Sequence, residues 1–308
     1  MKTAVSFLPA ATQTILDLNA KHCLRGVTFE CPESARRDLP IIVHCHLDVE
    51  HTTSQDIDRL FSSYAQTGKP LYWVDDQKLQ LAAPEVVFTQ DVCDICQIDT
   101  KCTQASLDKL SIMPEIIRLT PQSLDDVFMD ASRIASAIGQ HERGQQFITN
   151  LRTRLQIIVE TLRKHQAPLR RVSLLEWLDP IYNCGHWIPE QLAYAGGIDM
   201  LSHPRGDSIR IDWETIRRYD PEIICLAPCG FDVTRSLQEL EPFMQLPGLQ
   251  DLQAWQQDTI FVLDYTYFTQ PSIRTNVEGI ELLAHLFHPE LFPEPVPEGD
   301  TWIRLKHH

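Results

Sequence analysis

The chain has 308 residues, 43% hydrophobic and 22% charged, a globular composition that excludes a disordered chain. Its formal net charge is −15 and its arginines pair up only in isolation, as in Arg36-Arg37, Arg170-Arg171 and Arg217-Arg218, so a basic nucleic-acid-binding face is excluded. No apolar run reaches the roughly 18 residues a membrane span needs, so membrane insertion is not expected.

The opening residues carry one lysine, but Pro9, Thr12, Gln13, Thr14 and Asp17 interrupt any apolar core of a secretory signal. A cytoplasmic location is therefore expected. TAVSFL predicts a strand, and Pro9 with Thr12 opens a helix through Leu18. LRGVTFE (24–30) and LPIIVHC (39–45) predict the next two strands. Ile57, Leu60, Phe61 and Tyr64 then recur at helical spacing, between Ser54 as N-cap and Gly68 as C-cap. PLYWVD predicts a short strand, DQKLQLAA a short helix and PEVVFTQ a buried strand. SLDKL follows as a helix and PEIIRLT as a strand. The longest helical pattern runs from about Ser123 to Gln166, with a break between Gly139 and Gly144, and Pro168 ends it.

The second half repeats the first. VDDQKLQLAAPEVVFTQDVC (74–93) and IDWETIRRYDPEIICLAPCG (211–230) share an acidic start, a short helix, Pro-Glu and an apolar run. The expected architecture is α/β, with two Rossmann-like lobes of parallel sheet joined by one long helix and a ligand cleft between the lobes. Residues 1–122 form the first lobe, 123–167 the linking helix, 168–290 the second lobe and 291–308 a tail. Open parallel sheets bind ligands beyond the carboxyl ends of their strands. The candidate site residues are therefore those of the strand-end loops.

Nine cysteines are an odd number, and in a reducing compartment metal or catalytic use gains weight over disulfides. Cys93 and Cys96 form C-x-x-C at a strand end, a spacing that suits zinc, an iron–sulfur cluster or a redox dithiol. Asp91 and Asp94 argue against the dithiol, because nearby negative charge raises thiol pKa. Cys31 and Cys229 end other strands, and convergence of Cys31, Cys93, Cys96 and Cys229 would make a four-thiolate site. Packed core thiols are the competing reading. His186, in NCGHWIPE, is a candidate axial ligand to a metal chelate, with Glu190 one turn on as its orienting carboxylate. Trp177, Trp187, Phe231, Tyr265, Tyr267 and Phe268 offer flat faces for a planar guest, or else pack the core. Glu30, Gln90 and Glu176 are polar candidates, and Glu30 and Glu176 end corresponding regions of the two halves. Arg205, Asp207 and Arg210 belong to a polar loop expected to cover the site. His44, His46 and His51 read as incidental to an edge loop. No G-x-S-x-G, P-loop or G-x-G-x-x-G is present, so no reaction is assigned.

"VSFLPAATQTIL", "LRGVTFECP", "APEVVFTQ" and "YDPEIICLAPCG" resemble the cobalamin/iron-chelate class of ABC-transporter substrate-binding proteins. "TQDVCDICQ", "LLEWLDPIYNCGHWIPE" and "APCGFD" resemble its subgroup of non-exported cobalamin-binding proteins. The resemblance implies a two-lobed binding protein, rather than an enzyme, for cobalamin or another corrinoid or a related small-molecule metal chelate. Its role would be sensing, storage or handover. The alternative is a metalloprotein or redox enzyme with an iron–sulfur cluster or zinc on the cysteines. Transporting relatives dock a permease, which a chain kept in the cytoplasm would not meet.

Overall fold

A computed structural model describes residues 1–47, 52–67, 71–90, 100–293 and 295–306. The chain divides into two compact units. One holds Met1–Pro121 and Asp125–Asn150, the other Gln122–Leu124 and Leu151–His308.

In the first unit strands and helices alternate: β1 (Ala4–Ser6), α1 (Pro9–Asp17), β2 (Leu24–Thr28), α2 (Glu33–Arg36), β3 (Ile41–Cys45), α3 (Ser54–Thr67), β4 (Tyr72–Val74), α4 (Asp76–Ala82), β5 (Val86–Gln90), α5 (Thr100–Leu107) and β6 (Glu115–Leu119). The sheet order is β4-β3-β2-β1-β5-β6, parallel except for the antiparallel edge strand β4. Successive residues of a strand face opposite sides, and the core shows it. Val86 and Phe88 pack with Ile15 of α1, whereas Val87 packs with Leu79 of α4 on the other face. Full burial of Phe88 contributes about 2 kcal/mol.

The expected linking helix follows as two pieces, α6 (Leu124–Ala137) and α7 (His141–Lys164), broken where the glycines placed the interruption. The break falls at Gly139, whose left-handed backbone (φ 75°) lets the N–H of Gln140 return to the carbonyl of Ala135 at 2.7 Å.

The second unit runs β7 (Arg170–Leu178), β8 (Ile181–Asn183), β9 (Gly185–His186), α8 (Ile188–Tyr194), β10 (Gly197–Ile198), β11 (His203–Pro204), α9 (Trp213–Tyr219), β12 (Ile223–Leu226), α10 (Val233–Gln238), α11 (Glu241–Met244), α12 (Gln253–Gln256), β13 (Ile260–Leu263), α13 (Ile273–Phe287) and β14 (Trp302–Leu305). Its main sheet is β10-β7-β12-β13-β14, with β8 against β7, and a small ladder joins β9 to β11. Strands β10, β7, β12 and β13 are parallel. Leu175, Ile224 and Val262 pack with Ile216 of α9 and Phe243 of α11 on one face.

Three expectations are corrected. The cap of α3 is Thr53, whose hydroxyl accepts the N–H of Asp56 at 3.2 Å, because Ser54 is already the first helical residue. The helix expected at SLDKL ends at Leu107, and Leu110 only closes a turn back to it. Residues 302–305 are no tail: they add the antiparallel strand β14 to β13, and buried Trp302 meets the ring of Phe261 edge-on at 6.1 Å.

Candidate functional site

The repeat fixes which strand ends correspond. Helix α4 leads into β5 as α9 leads into β12. β1 lies between β2 and β5, and β7 lies between β10 and β12. β7 is therefore the counterpart of β1, not of β2. Ala4 pairs with Val86 and Val172 with Ile223, so Leu8 stands where Glu176 stands. The expected correspondence of Glu30 with Glu176 is overturned by this register.

In the first unit, Glu30 and Cys31 follow β2. Glu30 is exposed, and desolvation by the protein around it pushes its carboxyl up to about 7, although water reaching the side chain tempers the cost of charging it. Cys31 is 1% exposed and sits 3.0 Å from the hydroxyl of Thr12. Burial pushes its thiol up to about 12. A neutral, packed thiol is a core residue, which corrects its expected role as a thiolate ligand. Gln90 ends β5, half-buried. Cys93 and Cys96 lie outside the described residues, as does His51. Among the described residues no three His, Cys, Asp or Glu side chains gather as a metal site.

In the second unit the stretch that carries His186 is held by the end of β7 and by residues 201–211. β7 delivers Glu176, whose carboxylate accepts the N–H of Gly185 at 2.8 Å and whose carbonyl accepts the N–H of Cys229 at 3.0 Å. Cys229 is exposed. The segment 201–211 runs back along 181–186: Asn183, Cys184, His186 and Ile181 all exchange backbone bonds with it. Its approach is so close at Gly185 that a Cβ there would lie 2.4 Å from the Gly206 carbonyl oxygen. This expected cover loop therefore lies hydrogen-bonded onto β9.

His186 has a left-handed backbone, φ 51°, a conformation that costs a non-glycine residue about 1 kcal/mol or more. It was not expected from the sequence. The residue's N–H donates to Gly206 at 2.7 Å and its carbonyl accepts from Arg205 at 3.0 Å. The ring stacks on Trp187 at 5.6 Å, with Nδ1 3.2 Å from Gln122 Oε1 and Nε2 3.6 Å from Asp207 Oδ1. Burial pushes the imidazole pKa down, against the opposing pull of Asp207 and with the help of His203. The ring is therefore neutral at pH 7. Glu190 does not orient it. That carboxylate accepts the N–H of Leu124 at 2.8 Å and pairs with Arg205 at 3.2 Å. Gln122 is the residue that the sequence reading missed, since a single polar side chain after Pro121 breaks no periodicity.

The aromatic candidates separate. Trp187 is 4% exposed and donates its indole N–H to the Phe268 carbonyl at 2.7 Å. Phe231 is 2% exposed, wedged between Trp177 and the guanidinium of Arg235. Phe268 is fully buried. Trp187 and Phe231 are thus core residues and present no free stacking face. Trp177, Tyr265 and Tyr267 are half-buried, with Trp177 against Phe231 and Tyr267 against Phe268. Gln191 and Asn276, both fully buried, hold the Tyr267 carbonyl at 3.0 and 3.2 Å and so fix the loop after β13. What results is a neutral imidazole stacked on Trp187, with one nitrogen toward Gln122 and the other toward an exposed carboxylate. Such a nitrogen can coordinate a metal centre or accept a proton.

The profile of the periplasmic binding protein family matches residues 76–267, and the chain belongs to that family. No curated protein matches it in sequence. Solved structures with the same fold include a periplasmic heme-binding protein from Pseudomonas aeruginosa, 14% identical, TM-score 0.71, covering 100% of this chain and 99% of that one. The vitamin B12 binding protein BtuF of Vibrio cholerae is 14% identical, TM-score 0.65, with 94% and 97% covered. An ABC-type Fe3+-hydroxamate transport protein from Saccharomonospora viridis is 15% identical, TM-score 0.66, with 93% of each chain covered. At these identities the likeness is one of fold. No helix among the described residues is long and apolar enough to cross a membrane.

Proposed function

We propose that the chain binds a metal chelate with an accessible axial position, in the first place a corrinoid, at the strand ends of its second unit. The observation that carries this reading is His186: a neutral imidazole in a strained backbone conformation, locked on both sides, at the edge where parallel sheets take their ligands. Imidazole suits cobalt and iron centres alike. Solved proteins of this fold that bind heme, vitamin B12 and Fe3+-hydroxamate support the ligand class. The resemblance of LLEWLDPIYNCGHWIPE, which contains His186, to cobalamin-binding proteins favours the corrinoid. We place the binding in the cytoplasm, for sensing, storage or handover. Four buried free thiols, Cys23, Cys31, Cys184 and Cys225, suit a reducing compartment.

The test is ligand-dependent stabilisation. Aquocobalamin, hemin and a ferric hydroxamate are each added to the purified chain and thermal unfolding is followed. A ligand at a hundred times its Kd adds about 2.7 kcal/mol. The expected result is a raised Tm with aquocobalamin and a changed cobalt absorption spectrum, both lost in His186→Asn. Failure of all three chelates to raise the Tm sinks the reading.

A further inference from the structure

We infer that Gln122 is a positioning residue: its side-chain oxygen holds the ring proton of His186 on Nδ1 and so presents Nε2, unprotonated, as the donor atom. The inference rests on the chelate-binding reading for its purpose, though not for its geometry. A neutral imidazole carries one hydrogen, on either nitrogen. An amide oxygen only accepts, so the nitrogen facing Gln122 Oε1 at 3.2 Å is the one that donates. On the other side Nε2 faces Asp207 Oδ1 at 3.6 Å, beyond hydrogen-bond reach, and that carboxylate is largely in water. Two acceptors facing each other make a place for an electropositive guest. A ligating histidine is commonly fixed in this way, by an acceptor on its other nitrogen.

The acceptor is itself held. Glu190 takes the N–H of Leu124 on one oxygen, two residues from Gln122, and the guanidinium of Arg205 on the other. Arg205 in turn donates its backbone N–H to the carbonyl of His186 and shares the left-handed conformation, φ 59°. Gln122, His186, Arg205, Glu190 and Leu124 thus close a circuit. The circuit ties the two residues of left-handed backbone to the segment that carries Gln122. The charged and titratable groups acting on the ring are Asp207 and His203, and Arg205, which bonds the His186 carbonyl, is itself paired with Glu190.

The test reads the tautomer directly in the chelate-free protein. Two-bond proton–nitrogen correlation spectra of the histidine rings are recorded at pH 7.5 for the wild type, Gln122→Leu and Gln122→Glu, with His186 assigned by its disappearance in His186→Asn. The wild type and Gln122→Glu, which keeps an acceptor, are expected to show a protonated Nδ1 and a bare Nε2. Gln122→Leu is expected to shift toward the Nε2–H form. A wild type already protonated on Nε2, or a tautomer unmoved in Gln122→Leu, overturns the inference. Titration with aquocobalamin and with hemin is the second arm. Gln122→Leu should weaken the chelate that binds by about ten- to a hundredfold, with Gln122→Glu restoring it. Binding of that chelate at undiminished affinity by Gln122→Leu overturns the inference as well. A wild type that binds neither probe, with the tautomer still shifting in Gln122→Leu, sinks the chelate reading and supports the Gln122–His186 assignment.

Discussion

Ala83 and Asp220 occupy the same place in the two units. Each follows the short helix that leads into a central strand, and each has left-handed backbone, φ 40° and 48°. Each donates its N–H back to the helix, to Leu79 and Ile216. Neither is glycine, the residue that takes this conformation without a Cβ penalty. Ala83 is exposed and its methyl group makes no compensating bond, so Ala83→Gly should stabilise by about 1 kcal/mol. Asp220→Gly relieves the same backbone strain but loses the carboxylate that accepts the main-chain and side-chain N–H groups of Gln253 at 2.9 and 3.0 Å. It should be net destabilising by about 1 kcal/mol. Urea unfolding of the two variants checks the opposite signs.

The close approach at Gly185 makes a second contrast. A methyl group there meets backbone, 2.4 Å from the Gly206 oxygen and 2.6 Å from the Ser208 nitrogen. At Gly206 the nearest atoms are those of the exposed His203 ring, at 2.5 Å, which can shift at the loss of its bond to the Asp207 carbonyl. Backbone in a hydrogen-bonded ladder yields less than a side chain in water. Gly185→Ala should cost about 2–3 kcal/mol and Gly206→Ala under about 1 kcal/mol, read as shifts in the urea midpoint. Equal losses would show that 201–211 is not packed on β9 as described.

The thiols are expected to separate by accessibility. Burial raises the pKa of Cys23, Cys31, Cys184 and Cys225, and for Cys31 the value reaches about 12. At pH 8 such groups hold almost no thiolate, and no reagent reaches them. Iodoacetamide labelling of the native chain, mapped by peptide, should modify Cys229 and spare these four. Modification of Cys31 as fast as Cys229 would restore it as a candidate ligand.

How much of this was legible in the sequence depends on periodicity. Strands such as VVFTQ and IICL announce themselves by apolar runs opened by Pro-Glu, and the repeated order of helix and strand places them. The break between α6 and α7 was legible as glycine. The site was legible only in part. His186 lies in a recognisable stretch, but its left-handed backbone comes from bonds to 205 and 206, and its partner Gln122 lies far away in the chain. β9 and β11, two residues each, leave no periodic trace. Nor does composition tell an aromatic ring that packs, such as Phe231, from one that remains half-open, such as Tyr267. That distinction arises from neighbours such as Arg235 and Asn276, contributed by later segments.

Asp199 supplies the pH dependence. Its carboxylate accepts the N–H groups of Leu174 at 3.0 Å and Leu201 at 2.9 Å, with the Cys184 thiol at 3.7 Å. Burial outweighs these bonds and pushes its pKa up to about 6, above the ordinary value near 4. The folded chain therefore prefers the protonated acid. The stability drawn from that preference is complete below about pH 4 and is lost as the pH rises through about 6. Asp199→Asn cannot ionise and removes this dependence, while losing one acceptor. Other titrating groups cancel when the variant is subtracted from the wild type at each pH. The difference in unfolding free energy should favour the wild type by about 2 kcal/mol more at pH 4 than at pH 7. Urea unfolding of both chains at four pH values between these limits measures it. A difference that stays flat would mean that Asp199 is charged at no cost, and that the hydrogen bonds from Leu174 and Leu201 outweigh its burial.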